Sequence, residues 1–269
     1  MGTLINLAAA IQSLFKKKGL SILRIAVILI FLYLAGLAVW LDFSFVSGTQ
    51  YVIKNNDIGK LIASGLINLA PELAGIVVAV LTIDYLNERR NNQDLLNQLI
   101  FQMRSKHHDV SETAITILIA KGWLYDGSLS EQQLTNADLS HANLSGAMLQ
   151  GINLSGSKLR KTMLDGANLS NAWLYKCDLF EASLQDANLS NSHLTNTNLS
   201  NARLTSAKLN KAYLDSVDLQ DAILSNADLC SAYLIDANLS GAALYGAIYN
   251  DRTQWPKNFD PITAGAIKQ

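Results

Sequence analysis

Few residues in this sequence are of types that carry chemistry: Cys177, Cys230, the pair His107-His108, the aspartates Asp138, Asp178 and Asp218, and Glu72. A nucleophilic thiol needs an adjacent base, a zinc site needs several ligands at short spacing, and general acid–base work needs carboxylates that face one substrate. None of these sets assembles. Cys177 lies two residues before a leucine and Cys230 directly after one, which sends the first inward and the second to solvent. A chain with 2 cysteines excludes a disulfide scaffold and a four-cysteine zinc site. Adjacent side chains on a helix diverge, so His107 and His108 read as solvated linker histidines. The three aspartates recur at a fixed interval with Lys158 and Asn198 between them, which suits a solvated ladder that keeps like charges apart. There is no glycine-rich phosphate loop. The expectation is a protein with no catalytic residue, no metal and no cofactor.

Composition narrows the field further. In 269 residues, 21 lysines and arginines balance 22 acids, leaving a net charge of -1. That excludes a global basic field for nucleic acid and an acidic tail. Hydrophobic residues make up 49% and aromatics only 7%, so alanine, leucine and small polar residues carry the chain. This palette is wrong for disorder and unusual for an ordinary enzyme core.

The N-terminal third reads as a membrane anchor. Residues 22–41 form a 20-residue apolar run interrupted only by Arg24, long enough for a hydrocarbon core of roughly 30 Å. A cleaved signal would be shorter and end in small residues, whereas this run ends in Val39-Trp40-Leu41-Asp42. A second run, 61–83, contains Asn68, Pro71 and Glu72. An ionisable residue at membrane depth is a functional hypothesis by default, and the competing reading pairs Glu72 with Asn68 or a partner helix. Lys16, Lys17, Lys18 and Arg24 precede the charge-free stretch 25–41 of the first run, Lys54 and Lys60 lie between the runs, and Arg89, Arg90, Arg104 and Lys106 follow the second. The charge bias puts both termini in the cytoplasm and segment 42–60 outside. Segment 1–21 has helical apolar spacing running into the lysine cluster and reads as an amphipathic stretch on the inner leaflet. Small residues at Ala70, Ala74, Gly75 and Ala79 would allow copies to associate through their membrane helices.

Residues 84–121 read as a helical linker. Leu95, Leu96, Leu99, Ile100 and Met103 keep helical spacing with no breaker after the second run. A second helix, 112–121, would be capped by Asp109 or Ser111 and stopped by Gly122.

From Leu124 to Leu244 leucine then recurs at every fifth position without a miss. From Leu139 onward, two positions before each leucine sits a short residue, chiefly alanine, with Ile152, Thr162, Cys177 and Val217 as larger exceptions. A period of five fits neither helix nor strand, and it demands a solenoid of short segments and turns. Leucine and the residue two before it point inward, and the rest meets water.

The stretches "NADLS HANLS", "GANLS", "DANLS" and "NADLC" resemble the pentapeptide-repeat family, over residues 122–250. The resemblance implies a right-handed quadrilateral β-helix with four repeats per coil, and a bacterial, cyanobacterial-like membership. Segment 251–269, "DRTQWPKNFDPITAGAIKQ", resembles a sequence that often follows such repeats. Trp255 and Phe259 would cover the last leucines, and Pro256 and Pro261 would end the ladder.

With twenty residues per coil, Asn153, Trp173, His193, Tyr213 and Tyr233 fall in one outward column, with Tyr175 and Ile235 beside it. This face is the expected docking surface for a protein partner, and the competing reading is a ladder of aromatics stacked for stability. The expected whole is a non-enzymatic scaffold in a bacterial inner or thylakoid-type membrane, in contact with lipid and with an unidentified protein. One alternative is a DNA-mimicking binder of a topoisomerase, as the resemblance allows. Residues 131–250 hold 11 acidic and 7 basic side chains, a mild -4, which argues against it. The other alternative is an oligomeric signalling or transport component that uses Glu72.

Overall fold

The computed structural model describes residues 56–269; of these, the side chains of 56–74 and 77 are outside the description. Segment 1–21, the run 22–41 and most of the loop 42–60 therefore lie outside the described residues, and so does the side chain of Glu72. The described residues fall into two compact units that divide between Gln93 and Asp94. Helix α1, Asn56–Met103, begins before the second apolar run, so 56–60 are helix and not the end of a loop. Its backbone passes through Pro71 and on to Met103 without a break. Among the described residues no helix is long and apolar enough to cross a membrane.

Helix α2, His108–Lys121, starts earlier than its sequence signals suggest. Neither Asp109 nor Ser111 caps it: His107 is the N-cap and makes no side-chain cap bond. Ser111 is instead buried inside the first turn, and its hydroxyl donates to the carbonyls of Met103 and Ser105. It thereby satisfies orphan carbonyls left by the end of α1. Gly122 stops α2 at φ 76, while the Trp123 N–H reaches back to the Leu118 carbonyl at 3.0 Å. This is the Schellman closure, in which a left-handed residue turns the chain off the helix axis.

Past Gly122 the chain coils into a four-sided ladder. Residue i bridges residue i+20 in parallel, from Gln133↔Asn153 to Asp228↔Ile248. Each side is one repeat, too short for a conventional strand, so pairing is one residue wide. The backbone bookkeeping explains the repeat. In the repeat centred on Leu144, the Leu144 and Gly146 N–H groups donate to the next coil, at Met163 and Asp165. The residue before each leucine donates to the previous coil, as Asn168 does to Ala147. The inward alanine closes the turn, Ala147 N–H to Leu144 C=O at 3.1 Å. One N–H per repeat, directly after the leucine, is left over. Asparagine or aspartate before the leucine takes it: Asn143 Oδ1 accepts from Ser145 N–H at 3.1 Å, and Asp138, Asn153, Asn188, Asp218 and Asn238 do likewise. The side chain thus does what a buried backbone donor requires.

The second residue after each leucine turns the corner in the left-handed region. From Glu131 to Asp236 it is non-glycine at most corners, with φ between 53° and 62°. A positive φ at the third residue of a bonded turn is the type II signature.

Leucines and short residues fill the interior, and most are completely buried. Inward hydroxyls and the thiol use a free lone pair below them. Ser157, Thr162 and Cys177 donate to the carbonyls of Leu134, Leu139 and Leu154 in the preceding coil, at 2.9 Å each. The open ends are closed differently. Leu99, Met103, Ala114, Ile115 and Leu118 pack over the first coil, and the Ser105 carbonyl accepts from Asp138 N–H.

At the other end one extra residue shifts the register, so that Tyr233 bridges Gln254. Trp255 then takes the leucine place and Thr253 the inward place, its hydroxyl donating to the Leu229 carbonyl. Phe259 stacks on Trp255 at 5.3 Å. Pro256 and Pro261 do not end the ladder. The chain returns beyond them, and β2, Ile267–Lys268, pairs in parallel with β1, Ile248–Tyr249.

Each leucine is one link of a shared column, so its removal is felt as a cavity. Leu194→Ala is expected to cost about 2–5 kcal/mol in urea unfolding of the full-length chain. Thr195→Ala, on an outward position next to it, is expected to cost less than about 0.5 kcal/mol. Equal costs at the two positions would refute the inward–outward assignment.

Candidate functional site

The column Trp173, His193, Tyr213, Tyr233 is brought together by the bridges Trp173↔His193, His193↔Tyr213 and Tyr213↔Tyr233. The ladder spaces the backbones at about 4.8 Å, close to aromatic stacking distance, so rings on one side must stack or splay. They stack. Ring centroids are 4.1, 4.6 and 5.0 Å apart and adjacent planes lie within 10° of parallel. Asn153 precedes the column, its side-chain amide donating to Gln133 at 2.9 Å. Stacking consumes the ring faces and leaves edges for solvent: Trp173 remains 50% exposed and Tyr213 38%.

Both readings of the aromatic face therefore have a structural basis: the rings do stack on one another, and the column is still half open. Tyr175 stands outside the stack, exposed, with the Lys176 ammonium 5.0 Å from its ring centroid. Ile235 is exposed on the same flank. Glu72 belongs to α1, and its side chain lies outside the described residues.

Burial between two rings disfavours the charged imidazole, and His193 titrates below its ordinary value near 6.5. On one side of the column a shallow groove of 360 Å³ is lined by corner residues Asn171, Asn191, Lys211 and Ser231 and by Arg252. Sequence reading missed this groove. The signal was present in the corner positions, which stack twenty residues apart just as the column does.

The aspartate column has the alternation expected of it. Asp138 meets Lys158 at 3.5 Å, Asn198 Nδ2 donates to Asp178 at 3.1 Å, and Asn238 Nδ2 donates to Asp218 at 2.9 Å. Burial raises the Asp138 pKa, but hydrogen bonds from Ser140 and the Lys158 charge outweigh it and hold the carboxyl below its usual value. These acids are satisfied acceptors and not a paired-carboxylate site. Burial pushes the Cys177 thiol up to about 12. Cys230 is half-buried, not fully exposed, and burial together with Asp228 pushes it up to about 11. Among the described residues no three His, Cys, Asp or Glu side chains stand together as metal ligands.

A four-sided ladder with a five-residue side, a leucine interior and polar corners defines a class of β-solenoid proteins. The family model of pentapeptide repeats matches residues 128–160, 142–179, 182–221 and 212–248, and the chain belongs to that family. Its members form right-handed quadrilateral β-helices and are in general structural or interaction proteins. The chain is similar to Rfr23 of the cyanobacterium Cyanothece 51142, with 32% identity over 47% of this chain and 89% of that one, at a TM-score of 0.36. It is similar to alr5209 of Nostoc PCC 7120, with 29% identity over 58% and 94%, TM-score 0.21. QnrB1, a plasmid-mediated fluoroquinolone resistance protein, shares 18% identity over 52% and 83%, TM-score 0.29. No curated protein matches the sequence.

Two measurements follow from the titrating groups. As pH falls through 6.5, the unfolded chain takes up a proton at His193 before the folded chain does, so the folded state loses stability. His193→Phe should therefore show a shallower fall in Tm between pH 7.5 and 5 than the wild type; parallel profiles would refute the burial argument. A thiol-reactive dye at pH 7.5 should leave native Cys177 unlabelled and label Cys230 slowly, with Cys230→Ser abolishing the native signal.

Proposed function

We propose that this chain is a non-enzymatic, membrane-anchored scaffold whose rigid β-helix holds the Trp173–Tyr233 face toward a protein partner on the cytoplasmic side. The observation that carries the docking part is the stacked column. The ladder satisfies its own backbone donors and most acidic side chains, yet it leaves a contiguous row of aromatics half open on one side. Exposed aromatics at fixed spacing on a rigid frame are what interface anchors need, because little conformational entropy is lost on contact.

The anchor rests on other grounds. The run 22–41 is long enough to span a bilayer and its flanking charges are biased toward the cytoplasm. On α1, Ile76, Val78 and Ile83 stand exposed, an apolar surface that lipid or a second helix would cover.

Membrane fractionation of tagged protein, with protease added to vesicles of both orientations, tests the anchor. The expected result is retention after carbonate wash and cleavage of the repeat region only in inside-out vesicles. A chain found entirely in the soluble fraction would overturn it. For the docking face, Trp173→Ser with Tyr213→Ser should abolish partner capture while circular dichroism and Tm change little. An unchanged set of captured proteins would overturn it.

A further inference from the structure

We infer that the groove beside the aromatic column accepts a carboxylate-rich extended segment of a protein partner. This rests on the docking reading above and names the chemistry of its occupant. Three observations carry it.

The column turns ring edges outward, because its faces are stacked within 10° of parallel. Aromatic edges carry the positive end of the ring quadrupole, and along the groove they belong to His193, Tyr213 and Tyr233, the two tyrosines bringing hydroxyls. Such a rim recognises anionic or carbonyl oxygen better than a cation or another ring face.

The facing wall agrees. The groove is lined by side-chain amides, hydroxyls and two cations, Lys211 and Arg252, with no carboxylate. Among the described residues neither cation has an ion pair, whereas Lys158, Arg160, Lys161 and Lys268 each have one. Lys211 occupies a corner of the ladder, where its exposed ammonium is left unpaired.

Spacing completes the argument. Lys211, Ser231 and Arg252 occupy successive coils, so the cations stand two coils apart, roughly 10 Å at about 4.8 Å per coil. One turn of polyproline II is about 9.3 Å and returns every third side chain to the same side. Acidic peptides extend by self-repulsion and readily take that form. From Asn171 to Arg252 the groove spans four coil steps, roughly 19 Å, which is about six residues of extended chain.

The test uses the full-length chain in detergent and a fluorescein-labelled hexaglutamate peptide, with hexaglutamine and hexalysine as controls. Hexaglutamate should bind saturably at low salt and weaken with added salt, and neither control should bind. Lys211→Glu with Arg252→Glu, both exposed and outside the core, should weaken it about tenfold or more. Lys161→Glu, a cation away from the groove, should leave it unchanged. Absence of hexaglutamate binding, or binding equal in the groove variant and the wild type, overturns the proposal. If in that case the Trp173/Tyr213 variant still loses its captured proteins, the docking face stands and only the acidic chemistry falls.

Discussion

In the repeat region a coil satisfies most of its peptide N–H groups only through the coils beside it. A single five-residue side has no internal ladder, so three of its five N–H groups are paired only if another side lies directly above or below. The chain meets that requirement with a register of twenty residues, which makes every corner turn within two residues. The corner then demands a positive φ, and the residues after the leucines obey it without exception between Glu131 and Gly246. Leucine follows as the filler of the space enclosed, and alanine as the largest residue that usually fits beside it. Where an asparagine or aspartate precedes the leucine, its side chain accepts the one N–H that the ladder omits.

Much of this was legible because the constraint repeats. An uninterrupted leucine period announces a solenoid, and the inward Cys177 and the alternating Asp138, Lys158 and Asp178 were predictable from register alone. What was not legible lies where the repetition stops. The start of α2 was misread because Ser111 resembles a cap in sequence, while its hydroxyl is used by carbonyls of the preceding turn. The last repeat is disguised: a single inserted residue displaces it, and "TQW" fills the places of an alanine, an outward residue and a leucine. Prolines near the end looked like terminators because they cannot donate to a ladder. Here they lie between ladder positions, and the chain resumes pairing at Ile267.

The same stacking rule explains the surface. Any outward residue meets its counterpart in the next coil at strand spacing, so unlike charges, amides and aromatic rings form favourable columns while like charges do not. Asp178 shows the economy of this arrangement. It receives Arg160 at 2.9 Å and an amide from Asn198, and it holds the N–H of Phe180, whose ring lies under the same arginine. A surface satisfied in this way is poor at recruiting partners, since its charges are already neutralised by neighbours within the rod.

Recognition therefore has to arise where stacking leaves something over. An aromatic column is such a place, because ring faces satisfy one another while ring edges stay directed outward; a fully apolar column would leave no donors at its rim, and a charged one would be screened or paired. The corner column next to it is another, because its side chains from Asn171 to Ser231 are amides, a hydroxyl and a lysine with no acid to pair it. Lys161 and Glu181 show a corner pair that closes on itself at 3.3 Å. Lys211 follows Asn171 and Asn191 and is followed by Ser231, none of which can neutralise it. The unpaired cation and the open ring edges lie along one groove, and under the proposed docking reading it is this coincidence on a rigid frame that would discriminate between partners.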